Sequence, residues 1–191
     1  MMEYKTKMKK ALRLPFVISL IASLAVIIAF FMPLGSANEE YREYLEEYSQ
    51  EINVEEIEMT NKEAINVSMY DFVKIYWNVY RPIDKTLATL VTAIIGATGG
   101  LSLMALLFVL LKKPIGIFIF NLLTFASYHL MMWDFKDRGV IPSRYYDWGA
   151  AYYLYYAGLV LLFAGSIYML VKKIQVKKQI KSEKLTSEQS V

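Results

Sequence analysis

Four uncharged apolar stretches, residues 14–32, 87–111, 114–133 and 148–171, constrain this chain more than any other feature. Each is long enough to cross a hydrocarbon core about 30 Å thick, which takes roughly 20 residues of helix. Lipid offers backbone N–H and C=O groups no partner, so uncharged runs of this length become helices that satisfy their own hydrogen bonds. The expected fold is an all-α membrane protein, a bundle of four transmembrane helices.

Charge divides the connecting segments into two classes. Residues 1–13, the two-residue link 112–113 and the tail 172–191 carry 13 basic and 3 acidic residues. Residues 33–86 and 134–147 carry the remaining 8 basic and 15 acidic ones. Lysine and arginine in short flanking segments mark the cytoplasmic side. The sequence therefore predicts a multi-pass plasma-membrane protein with both termini in the cytoplasm. Trp77, Trp133 and Trp148 all fall at or beyond the outer ends of the spans, where amphipathic rings prefer to lie. The basic start followed by Pro33 and Gly35-Ser36-Ala37 also matches a signal peptide cleaved after Ala37. A core of about 19 residues exceeds the usual 7–15 of a signal, which favours a retained first span.

Residues 33–86 form the long outer loop, expected to make a helical extracellular cap. There is no cysteine to staple it, and a segment of about 50 residues buries little by itself, so it should fold against the bundle. Ser36-Ala37-Asn38-Glu39 fits a capping box, and Thr60 with Glu63 and Ser68 with Asp71 repeat the pattern. Tyr41, Tyr44, Leu45 and Tyr48 share one helical face among Glu39, Glu40, Glu43, Glu46 and Glu47. Met69, Phe72, Val73, Tyr76 and Tyr80 share another, ended by Pro82 and suited to the membrane interface. The candidate partner surface is Tyr41, Tyr44, Tyr48, Tyr76, Trp77 and Tyr80. Asn66-Val67-Ser68 is formally a glycosylation sequon, but the Lys-, Ile- and Glu-rich, cysteine-free usage has a bacterial character and no role is assigned to it.

No Asp, Glu, Lys or Arg lies within any span, which argues against a proton-coupled pump. The most polar span is the third, where Asn121, Thr124 and Tyr128 align with His129 on their flank. They form a candidate intramembrane polar face whose simplest use is interhelical hydrogen bonding. Thr89, Thr92, Ala93, Gly96, Gly99 and Gly100 make a small-residue stripe on the second span, suited to packing in the bundle or to a homo-oligomer contact. Ala151, Gly158 and Gly165 recur every seven residues on the fourth.

The exclusions are as informative. One histidine and no cysteine supply no metal cluster; there is no G-x-S-x-G element and no phosphate-cradling glycine loop ahead of a helix. The basic residues flank spans, so nucleic-acid binding is not implied. No catalytic residue, metal or cofactor is expected, and the lipid bilayer is the one certain partner. The leading expectation is a non-enzymatic accessory, scaffold or sensory subunit that binds a membrane or extracellular protein through its acidic, aromatic loop. The alternative is a small channel or carrier for a neutral or amphipathic solute. The layout resembles that of claudin-like and other tetraspan proteins in topology alone; the tryptophan and paired-cysteine pattern of a claudin first loop is missing, so no residue role follows.

Overall fold

The computed structural model describes residues 2–189, with side chains described for residues 6–183 except Lys9. The flanking Tyr4, Lys5, Lys9, Lys184 and Glu188 side chains and the last residues of the tail fall outside that description. Four helices are long and apolar enough to cross a membrane: α1 (Met2–Ala29), α5 (Lys85–Leu110), α6 (Pro114–Asp137) and α7 (Ala150–Gln189). This is the architecture of a multi-pass membrane protein. Between α1 and α5 lie β1 (Pro33–Ala37), α2 (Glu39–Glu47), β2 (Ile52–Val54), β3 (Met59–Thr60), α3 (Asn61–Ala64), β4 (Asn66–Ser68) and α4 (Met69–Ile75). A π-helical turn, Tyr76–Tyr80, extends α4, and β5 (Tyr146–Trp148) precedes α7.

The spans pack in a ring, α1 on α7, α7 on α6, α6 on α5 and α5 back on α1. Small residues let the first pair pack tightly, Gly158 and Gly165 of α7 lying against Ala22, Val26 and Ser19 of α1. Ser19, Ala22, Ser23, Val26 and Ala29 of α1 are buried against Ala151, Leu159, Leu162, Ser166 and Met169 of α7. Hydroxyl groups stitch the other helices. Ser102 of α5 lies 2.7 Å from the Tyr155 hydroxyl of α7, and Thr98 lies 2.7 Å from Ser127 of α6. Both bonds replace water partners that lipid cannot supply.

Helix ends follow local chemistry. Asp134, Lys136 and Asp137 do not stop α6, which runs past the expected boundary until Gly139, whose φ of 66° is the left-handed conformation that glycine adopts without strain. There the amides of Gly139 and Val140 donate to the carbonyls of Lys136 and Phe135, closing the helix with a Schellman pair. The helix α7 continues through the lysine-rich tail because Lys, Gln and Glu are good helix formers. It keeps α1 alongside, with Leu12 and Val176 buried and Lys7 paired to Glu183 at 2.9 Å.

The loop region is mixed rather than purely helical. The strand β1 sits between β4 and β5 in a three-stranded antiparallel sheet, with Gly35 opposite Val67 and Trp148, and Ala37 opposite Tyr146. A second small sheet pairs β2 with β3. The first expected capping box is displaced: Ser36 lies in β1 and its hydroxyl donates to Asn66 Oδ1 at 2.9 Å. Asn38 is the cap of α2 instead, accepting the Tyr41 amide at 3.0 Å. The other two boxes form as expected. Glu63 accepts the Thr60 amide at 2.8 Å, and Asp71 accepts the Ser68 hydroxyl at 2.6 Å. A hydrophobic core runs without a break from the bundle into the cap through Leu34, Met69, Phe72, Phe135 and Ile141.

The two boxes make the cap acid-sensitive. The bonds from Thr60 hold the Glu63 carboxyl below its ordinary range. Burial alone would raise Asp71, but Lys74, 2.8 Å away, and Ser68 outweigh it and hold it low. A carboxyl depressed in the fold adds stability above its unfolded pKa of roughly 4 and loses it as pH falls through the folded value. Thr60→Ala and Ser68→Ala are each expected to cost about 1 kcal/mol at pH 7 and to lessen the loss of stability below pH 4 in part, because the Thr60 amide and Lys74 still hold the two carboxyls low. Thermal unfolding between pH 7 and 3 checks this; an unchanged acid limb in both variants would contradict it.

Candidate functional site

The polar residues of the third span do not make an open face. Asn121, Thr124 and Tyr128 are fully buried between α6 and its neighbours. Asn121 Nδ2 donates to the Leu159 carbonyl of α7 at 2.9 Å, while its Oδ1 has no partner among the described residues. The Thr124 hydroxyl returns to the Phe120 carbonyl of its own helix at 2.8 Å. The Tyr128 ring stacks on Tyr155 at 4.2 Å. His129 points the other way: it is exposed, with Nδ1 3.0 Å from the Tyr156 hydroxyl and its ring parallel to Phe125. One residue of helix turns a side chain by about 100°, enough to carry His129 off the buried stripe.

The glycines also separate. A Cβ on Gly158 would lie 2.6 Å from a Val26 methyl, and one on Gly165 would overlap the Ser19 hydroxyl, so both sit in the α1–α7 seam. Gly99 packs on the Phe30 ring. Gly96 and Gly100 do not pack within the chain: no described atom lies within 4 Å of a Cβ placed on either. Their GxxxG spacing turns outward because the buried face of α5 is the one bearing Ala88, Val91, Ile95, Thr98, Ser102 and Ala105. Beside them an open groove of about 680 Å³ runs from Lys85 and Thr89 to Ala97 and Ser127.

The candidate partner residues of the cap divide into two places and a core position. Tyr76 is not a surface residue. It is 2 % exposed, stacks on Tyr80 at 5.0 Å and lies under the Arg138 guanidinium, itself paired with Asp134. Burial pushes its phenol above the ordinary value, against the pull of Arg138. Trp77 and Tyr80 are half exposed near the start of α5, with the Arg81 guanidinium 4.0 Å from the Trp77 ring centre.

Tyr41, Tyr44 and Tyr48 form a ladder along α2, with successive ring centres 6.2 and 5.2 Å apart. Tyr44 is 52 % and Tyr48 41 % exposed. The inner side of α2 anchors the ladder by burying Leu45 completely. Sequence periodicity did not reveal the second wall of this site. Strand pairing of Ala37 with Tyr146 brings the β5 hairpin beside α2, so that Tyr145 lies 4.9 Å from the Tyr41 ring. Tyr146 packs edge-on behind Tyr41 at 5.6 Å, donating its hydroxyl to the Ala64 carbonyl at 2.7 Å, and burial raises its pKa. Asn38, Glu40, Tyr41, Tyr44, Arg144 and Tyr145 thereby enclose a cleft of about 320 Å³. The charge pattern of the loops hinted at an acidic surface, yet nothing in the sequence placed Arg144 opposite Glu40.

Comparison with family models, with curated proteins and with solved structures gave no match, so the chemistry of these residues alone guides the functional reading.

Proposed function

We propose that this is a non-enzymatic membrane subunit, accessory or sensory, whose cap is its recognition surface. The spans give it little else to work with. Several of their polar side chains are taken up in bonds between helices or back to their own helix, and no Asp, Glu, Lys or Arg lies within the expected spans. The observation that carries the reading is the uncovered tyrosine ladder of Tyr44 and Tyr48 on a rigid helix surrounded by exposed Glu40, Glu43, Glu46 and Glu47. Large aromatic side chains with few rotatable bonds are the usual anchors of protein recognition, and an acidic surround favours a basic partner. The lysine-rich ends would lie in the cytoplasm and the cap outside, as the loop charges direct. A carrier path along Asn121, Thr124, Tyr128 and His129 lacks comparable support, since three of the four are sealed in the core and the fourth faces away.

A photocrosslinking amino acid at Tyr48, in the native membrane, is expected to give one discrete protein adduct that Tyr44→Ala diminishes. The same probe at Lys178, at the other end of the molecule, should not give it. Equal labelling from both positions, or none from Tyr48, would overturn the reading.

A further inference from the structure

We propose that the cleft between α2 and the β5 hairpin binds a small soluble zwitterion, an amino acid or betaine carrying one ammonium and one carboxylate group. The inference rests on the preceding reading only in taking the cap as a recognition surface.

Position comes first. The strand β1 leaves the end of α1, and β5 leads into the start of α7. Their ladder runs from Gly35 opposite Trp148, near the helix ends, to Ala37 opposite Tyr146. Asn38 and Tyr145 continue beyond that far end, where the Asn38 amide donates to the Tyr145 carbonyl at 2.9 Å. Five strand residues at about 3.3 Å each separate this end from Pro33. The residues that line the cleft all belong to the charged segments outside the expected spans, so the occupant is a solute rather than a lipid.

Shape comes second. A second bond, from Asn38 Nδ2 to the Arg144 carbonyl at 2.6 Å, ties the two walls together. The cleft is closed at that side and holds about 320 Å³, the low end of ordinary small-molecule sites.

Charge and ring chemistry select the ligand. Glu40 on one wall and Arg144 on the other make no ion pair with each other, and neither has an ion-pair partner among the described residues. Tyr41, Tyr44 and Tyr145 line the same cleft. Aromatic faces carry negative potential and attract ammonium and guanidinium groups. The Tyr145 ring already holds a cation in this way, the Arg144 guanidinium 5.8 Å from its centre. An ammonium against the Tyr41 and Tyr44 rings would meet the Glu40 carboxylate, and a carboxylate at the other end would meet the guanidinium fork of Arg144. A lone cation satisfies one wall and a lone anion the other. A zwitterion satisfies both.

The test is calorimetric titration of the full-length protein in lipid nanodiscs with glycine betaine and with glycine. Tetramethylammonium chloride and sodium acetate serve as the single-charge controls. Saturable binding of at least one zwitterion is expected, at least about tenfold tighter than either control, as a second charge-assisted contact provides. Arg144→Gln should reduce betaine or glycine affinity to that of tetramethylammonium while leaving tetramethylammonium binding unchanged. Glu40→Gln and Tyr44→Ala should weaken both the zwitterion and the cation. Both charged residues are exposed, so these variants should keep the circular-dichroism spectrum of the parent. Absence of saturable binding by either zwitterion, a control that binds as tightly, or Arg144→Gln binding like the parent would each overturn the proposal. None of these results depends on a protein partner, whose capture from Tyr48 stands or falls separately.

Discussion

Phe135→Ala is expected to destabilise the protein by about 3–5 kcal/mol, the usual cost of emptying a large buried aromatic site. Phe135 lies in the last turn of α6 with no exposed surface. Its ring meets Phe72 of α4 edge-on at 4.9 Å, and the Tyr76 ring lies 6.2 Å away with its plane inclined by 29°. It therefore joins the cap to the bundle, and its loss opens a cavity at that junction. The helices of the bundle have their own seams and should stay folded. Limited proteolysis should reveal the difference, with cleavage within residues 39–63 accelerating while the far-UV circular dichroism of the spans changes little. Phe135→Leu keeps most of the volume and is expected to cost below about 1.5 kcal/mol. A Phe135→Ala protein with parental thermal stability and an uncut cap would show that cap and bundle are held together elsewhere.

The spans were legible because lipid permits one solution for a continuous apolar run, and α5 and α6 begin within two residues of where the sequence places them. The far end of α5 also falls within one residue of the expected 111, but that of α6 was less legible because hydropathy reports where lipid ends, whereas a helix ends where a residue such as Gly139 reverses the chain. In the cap, Thr60 with Glu63 and Ser68 with Asp71 were readable because both partners lie within one turn. The strand β1 was not. Its partners come from Asn66–Ser68 and from Tyr146–Trp148, far along the chain, and its five residues PLGSA carry no alternation that would announce a strand. The same distance hid half of the cleft. Periodicity brought out Tyr41, Tyr44 and Tyr48, but Arg144 and Tyr145 reach them only through the β1–β5 pairing. Tyr76 shows the converse failure. Its spacing puts it on the apolar face with Met69 and Phe72, and the approach of Phe135 and Arg138 makes that face part of the core rather than a partner surface.

Glycine positions provide the sharpest contrast between sequence pattern and packing. Gly165→Leu and Gly158→Leu are each expected to cost about 3 kcal/mol, at the upper end of overpacking penalties, because the α1–α7 seam has no room to give. At Gly158 the obstruction is both a Val26 methyl and, at 3.4 Å, the Ala22 carbonyl. At Gly165 it is the Ser19 side chain, whose own backbone lies 3.5 Å from the added carbon. A flexible side chain could swing away, but a helix backbone yields only by separating the two spans. Gly96→Leu and Gly100→Leu face no such obstacle, and an isolated bundle should gain or lose less than about 1 kcal/mol, since leucine is also the better helix former. Reversible unfolding in mixed detergent micelles measures all four. If Gly100→Leu proved as damaging as Gly165→Leu, α5 would have to present its glycine face to the bundle interior. If instead Gly165→Leu were neutral, α1 would not be seated against α7, and the cap, whose central strand β1 continues directly from α1, would lose the support that positions it.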